Sequence, residues 1–90
     1  QQFTQDAFLD IIYVADYSKM NLSEDLLAPY AYAHFGFIAQ NVYLFCASEG
    51  LSTIVIGSID RKLLKSLLNL KESQHVILTQ PVGFPLNYSE

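Results

Sequence analysis

The sequence predicts a layered structure, α/β or α+β, with helices packed on a sheet, and three observations predict it. Two apolar runs of strand length, Phe8–Tyr17 and His75–Pro85, stand near the two ends. A shorter β-branched run, Thr53–Ile56, lies between them. Each interval holds a stretch with helical character, so the order reads strand, helix, strand, helix, strand, and such elements bury their apolar sides by stacking in layers.

Ninety residues make one small domain, able to bury about 60% of the surface its unfolded chain exposes. The composition is 51% hydrophobic, with six Phe and six Tyr, which is richer than a domain of this size needs for its own core. The surplus implies further surface to be covered, by a partner or by more chain. A net charge of -4 argues against a dedicated nucleic-acid or anionic-membrane binder. The single cysteine, Cys46, excludes an intrachain disulfide and offers no metal-ligand spacing. The first residues, QQFTQD, lack both an initiator Met and the basic-then-apolar pattern of a signal peptide. The expectation is that residues 1–90 are a single partial domain cut from a longer, cytoplasmic protein.

The first run, FLDIIYVADY, is interrupted only by Asp10 and has the length of a central strand, ending near Asp16. In the polar connector Ser18–Asp25, Asn21 or Ser23 is placed to cap a short helical turn carrying Glu24 and Asp25. Pro29 suits the first turn of a new helix, which runs to about Ser48 and ends at Gly50. That helix is roughly 30 Å long. Its apolar residues, including Phe35, Phe37, Ile38, Val42, Leu44, Phe45 and Cys46, point in most directions around the axis, so it is expected to be buried on all sides. His34, Gln40 and Asn41 speak against a membrane span.

The next strand, Thr53–Ile56, halts at Gly57 and Ser58, where a buried strand would want another branched side chain. Asp60 is then a natural N-cap for an amphipathic surface helix to Asn69, with Leu63, Leu64, Leu67 and Leu68 on its apolar face and Arg61, Lys62 and Lys65 away from it. In the last strand, Pro81 and Gly83 mark a bulge or an edge.

No nucleophile–base pair, Cys/His metal cluster or phosphate-binding glycine loop can be found, so an enzyme built on this chain needs a cofactor for its chemistry. The remaining candidate sites each have a structural reading beside the functional one. His34, Asn41 and Ser48 recur every seven residues with Gln40 beside them, either a polar seam facing a ligand or partner or, as favoured here, buried groups satisfied by backbone. Cys46 reads as a small buried apolar residue, and His75 as structural. Arg61, Lys62, Lys65 and Lys71 could meet a phosphate, but read first as a solvated face. At Gly57 and Ser58 the missing Cβ permits either a bulge or the close approach of a flat polar ring to free N–H groups.

The ordered set AHFGFIAQNVYLFCASEGLSTIVIGSID and HVILTQPVGFP resembles the C-terminal half of the nitroreductase family of flavin enzymes. The matching pieces are the Gln40–Asn41 pair with Val42, Tyr43 and Leu44, the Gly50–Leu51 turn, the strand end Ile56–Gly57–Ser58, and the closing Val82–Gly83–Phe84–Pro85. They span roughly Tyr30 to Pro85. The resemblance implies an α+β fold with a mixed β-sheet flanked by helices and a long apolar helix at a dimer interface. It implies an FMN-dependent oxidoreductase that passes reducing equivalents from NADH or NADPH to nitro compounds, quinones or similar acceptors, and a homodimer formed through helix 30–48.

By the same resemblance, Val55, Ile56, Gly57 and Ser58 lie against the flavin. The FMN phosphate would be held by basic residues outside these ninety, so the isolated chain is expected to bind FMN poorly. Where many members have Glu-Gly or Gly-Gly, this chain has Gly57 followed by Ser58. Two alternatives follow from the same motifs: a non-catalytic interaction module that keeps the fold, and a flavin oxidase acting on peptide heterocycles.

Overall fold

The computed structural model of the chain describes residues 4–85. Strand β1 (Thr4–Asp16) leads through a 3-10 turn (Tyr17–Lys19) into helix α1 (Glu24–Glu49); β2 (Ser52–Thr53), helix α2 (Arg61–Leu67) and β3 (Gln74–Pro85) follow. The strands form one sheet in the order β1-β3-β2, and every ladder among the described residues is antiparallel. Helices and sheet are thus arranged as an α+β structure.

β1 occupies an edge of this sheet, contrary to the central position its length suggested, and β3 is the strand paired on both sides. Only the second half of β1 enters the core, at Tyr13 and Ala15, while Phe8, Leu9 and Asp10 are exposed. The edge expected from Pro81 is therefore overturned. The bulge is real but sits across the ladder: Ala7 pairs with Gly83 and Leu9 with Val82, leaving Phe8 as the extra residue on β1.

α1 starts at Glu24 with Ser23 as its N-cap, so the short turn and the long helix expected separately are one helix with Pro29 inside it. Pro29 removes one bond to the carbonyl of Asp25, four residues back in the exposed first turn, where water can take its place. At the other end Gly50 takes the left-handed conformation, φ 72°, and the Leu51 N–H returns to the Cys46 carbonyl at 2.8 Å.

The core joins Tyr13, Ala15, Ala31, Ala39, Ile77 and Leu78, with Phe35 and Val55 packed against it. Through it runs a polar thread. Gln80, wholly buried, accepts from the Tyr13 hydroxyl at 2.5 Å and donates to the Ala39 carbonyl at 3.3 Å. A buried amide left unpaired is costly, so this thread fixes β1, β3 and α1 relative to one another. Burial also pushes the Tyr13 phenol above its ordinary pKa.

α1 is not buried on all sides. Ala31, Ala39 and Cys46 alone are buried, and Leu26, Tyr30, Ala33, Phe37, Gln40, Leu44 and Ala47 are all exposed. Their spacing of four and three residues makes one continuous seam, the pattern of a helix that packs against another helix. No helix among the described residues is long and apolar enough to cross a membrane.

α2 inverts its expected orientation. Asp60 caps it as anticipated, accepting from the Leu63 N–H at 3.0 Å, yet Leu63, Leu67 and Leu68 are exposed. Arg61 and Lys65 turn inward instead: Arg61 donates to the carbonyls of Gly57 and Ile77, and Lys65 to that of Glu72 at 2.8 Å. Backbone carbonyls of Gly57, Ile77 and Glu72 face the helix on this side, and the two cationic side chains, not the leucines, can donate to them.

Candidate functional site

The register of β2 on β3 explains why the strand of the β-branched run is cut short. Thr53 pairs with Val82 and, three residues on, Ile56 forms a lone bridge with Thr79, both N–H groups bonding at 2.8 and 3.1 Å. In unbroken register the position between them would pair Ile54 with Pro81, which has no N–H to give. The Pro81 carbonyl is taken by the Thr53 hydroxyl at 2.8 Å, and the Val55 N–H is accepted by the Tyr43 hydroxyl of α1 at 2.8 Å. The chain therefore leaves the sheet at Ile54, rejoins it for one residue at Ile56, and leaves again at Gly57.

Beyond Ile56 the N–H groups of Gly57 and Ser58 make no hydrogen bond among the described residues, and both residues are exposed. A Cβ built on Gly57 would meet only Leu78 Cδ2, at 3.7 Å, an ordinary contact, and its φ is not in the left-handed region. Neither backbone conformation nor crowding within the chain demands glycine here. What remains is an open strip of backbone with two N–H donors on its surface, a surface that a flat ring with polar edges fits. Residues 55–58 carry no basic side chain, so they fit such a ring and not a phosphate.

Val55 is half-buried against the core and Ile56 half-buried at its bridge, so of the four sequence-expected site residues only Gly57 and Ser58 present themselves to the outside. The structure brings all four together as one segment. They line none of three cavities of about 490, 340 and 310 Å³, the largest of which lies between Met20, Leu22, Tyr30, His34 and Phe35.

The other sequence candidates fall elsewhere. His34, Gln40, Asn41 and Ser48 are exposed, and only Ser48 reaches backbone, at the Phe45 carbonyl, 2.7 Å; the buried, backbone-satisfied reading is overturned. Cys46 is buried as expected, and burial raises its thiol pKa. His75 stacks on Tyr17 with ring centres 4.2 Å apart. Burial, then the Lys65 charge, holds its pKa below the ordinary value. The basic run divides: Lys62 and Lys71 are exposed, as a solvated face requires, while Lys65 and Arg61 are half-buried, the Arg61 guanidinium 5.8 Å from the Tyr32 ring centre.

The sequence reading missed Gln80 altogether, and it missed the part that Tyr43 and Arg61 play in holding the backbone of the site. Alternation was the available signal for Tyr43: Ile56 bonds β3 through both of its backbone groups, so the Val55 N–H points away from β3 and needs another acceptor.

The sequence profile of the nitroreductase family matches residues 1–84. The chain belongs to the nitroreductase family. A candidate nitroreductase of Methanocaldococcus jannaschii is 32% identical over 84 residues, covering 92% of this chain and 41% of the relative. Among solved structures, a candidate nitroreductase from Ralstonia eutropha JMP134 superposes with a TM-score of 0.83 at 32% identity, over 88% of this chain and 38% of that one. A candidate NADH oxidase from Clostridium acetobutylicum gives a TM-score of 0.71 at 30% identity, over 92% of this chain and 49% of that one. This nitroreductase-family chain thus spans less than half the length of each of these relatives. The α+β architecture expected of the family is the one the chain adopts.

Proposed function

We propose that this chain is the C-terminal part of an FMN-dependent oxidoreductase that takes reducing equivalents from NADH or NADPH and delivers them to nitro compounds, quinones or similar acceptors. The observation that carries the reading is the exposed strip at Gly57 and Ser58, with two N–H groups that are unpaired among the described residues. In this reading the isoalloxazine ring lies against Val55–Ser58, with the free N–H groups directed to its polar edge. The flavin supplies the redox chemistry when bound; the chain's residues bind and orient it and exclude water from one face. FMN phosphate ligands belong to other parts of the full-length protein.

The same reading makes the protein a homodimer through helix 30–48. Support comes from the exposed seam of α1, in which Phe37 is 75% exposed and Tyr30 and Leu44 are more than half exposed. Such a contiguous apolar stripe on a helix is unfavourable in water and favours a second helix as its cover.

The test is a flavin absorbance spectrum of the full-length protein, with bleaching on addition of NADH or NADPH, beside the Gly57→Val variant. A yellow protein that bleaches is expected, with the variant folded but depleted of flavin because the branched side chain stands over the strip. A colourless preparation that takes up no added FMN would sink the enzyme reading and leave the fold-retaining interaction module. Equal flavin in the variant would move the site away from Gly57.

A further inference from the structure

We infer that Arg61 is a positioning residue for the flavin, acting through the Gly57–Ser58 peptide; this rests on the placement of the ring at Val55–Ser58 proposed above. In a trans peptide the C=O and the following N–H point in opposite directions, so whatever holds the carbonyl aims the N–H. The two free donors of the strip sit on two such units. The Gly57 N–H shares its peptide with the Ile56 carbonyl, which accepts from the Thr79 N–H of β3 at 3.1 Å. The sheet therefore aims the first donor away from β3. The Ser58 N–H shares its peptide with the Gly57 carbonyl, which lies beyond the last bridge and has no strand to hold it.

Arg61 holds it. Nη2 donates to the Gly57 carbonyl at 2.9 Å and to the Ile77 carbonyl of β3 at 2.8 Å, so one nitrogen ties the strip to the central strand. The Ile59 N–H adds a second bond to Gly57 O at 3.1 Å. On its other sides the guanidinium faces the Tyr32 ring, and its Nε is buried without a partner among the described residues. No carboxylate is among its hydrogen-bonding partners in the described residues. A buried orphan donor is a costly way to hold a bend that the Ile59 N–H already bonds.

The arrangement does something a neutral residue would not. A cation on the Gly57 carbonyl polarises the peptide and strengthens the Ser58 N–H as a donor, since hydrogen bonds in a chain reinforce one another. It also places positive charge one peptide unit from the proposed ring, which favours the more negatively charged, reduced flavin over the oxidised form.

The full-length protein, its Arg61→Met variant and its Arg61→Lys variant separate these effects when FMN affinity is read by fluorescence titration and the flavin midpoint potential by spectroelectrochemistry. Arg61→Met is expected to bind FMN about tenfold more weakly and to shift the midpoint to more negative values. Arg61→Lys keeps the charge but loses the planar fork, so it should restore most of the potential and part of the affinity.

If Arg61→Met matches the wild type in both affinity and potential, the inference fails while the flavin site stands. A wild-type protein that takes up no FMN defeats the site reading and this inference with it. Should Arg61→Met not fold, Arg61→Lys decides: a weakened affinity with the potential retained supports the positioning role, and wild-type affinity overturns it.

Discussion

The two helices of this chain use apolar residues in opposite ways. α1 fully buries only small ones, Ala31, Ala39 and Cys46, and carries several large ones on an outer seam, with Phe37 and Leu44 exposed. α2 buries no residue fully, sets Leu63 and Leu67 outward, and turns Arg61 and Lys65 toward the sheet. Small inner residues let α1 approach β3 closely enough for the Gln80 amide to reach the Ala39 carbonyl. Under α2 the inner side offers the backbone carbonyls of Gly57, Ile77 and Glu72, and long cationic side chains donate to them as leucines cannot. The difference teaches that an apolar face on a helix says nothing about which neighbour covers it: position relative to free backbone groups decides the side that turns in.

The comparison breaks most readily at the inner face of α1. Ala39 is 2% exposed, and replacing it by Leu inserts three carbons between helix and sheet beside the Gln80 bond. Chemical unfolding of the full-length protein should show a loss of about 1–3 kcal/mol. A loss below about 0.5 kcal/mol, the size of an ordinary surface effect, would mean that α1 is less closely packed than described. The outer seam is the next place to press. Phe37→Glu should leave the far-ultraviolet circular dichroism unchanged while sedimentation shows the proposed dimer reduced to monomer. Leu67→Glu, at a leucine 70% exposed on α2, serves as its counterpart and should leave association intact. If both variants associate alike, the α1 seam is not the interface.

The element order, the caps at Asp60 and Gly50, the buried Cys46 and the halt at Gly57 were legible in the sequence, because each depends on local spacing or on one residue's backbone preference. What was not legible depended on partners far along the chain. Continuous apolar runs such as Phe8–Tyr17 cannot say whether a strand is central, since edge and centre differ by a neighbour rather than by composition. The division of the Thr53–Ile56 run followed from Pro81, almost thirty residues later, and the inward turn of Arg61 from the carbonyls of Gly57 and Ile77. At the candidate site, glycine could be read as a withheld side chain. That the N–H groups of Gly57 and Ser58 find no partner among the described residues while their carbonyl neighbours are held could be seen only once β3 was in place.

The smallest effect concerns the charge on the inner face of α2, and His75 reports it. Burial first, and the Lys65 charge second, lower the His75 pKa below its ordinary value of 6.5, while Glu72 and Asp16 pull it the other way. Because the folded state binds the proton less readily than the unfolded one, the unfolded chain carries more protons between the two pKa values. Stability from this group is therefore complete above the unfolded pKa and is lost as pH falls from about 6.5 through the folded value. Lys65→Met removes the second cause and keeps the first, so the His75 pKa should rise part of the way back and the acid-sensitive window should narrow. A proton NMR titration of the His75 ring in both proteins reads this directly. An unmoved pKa would mean that Lys65 does not bear on His75, and that α2 turns its basic residues inward for their hydrogen bonds to Glu72, Gly57 and Ile77 alone, without their charge acting on the sheet.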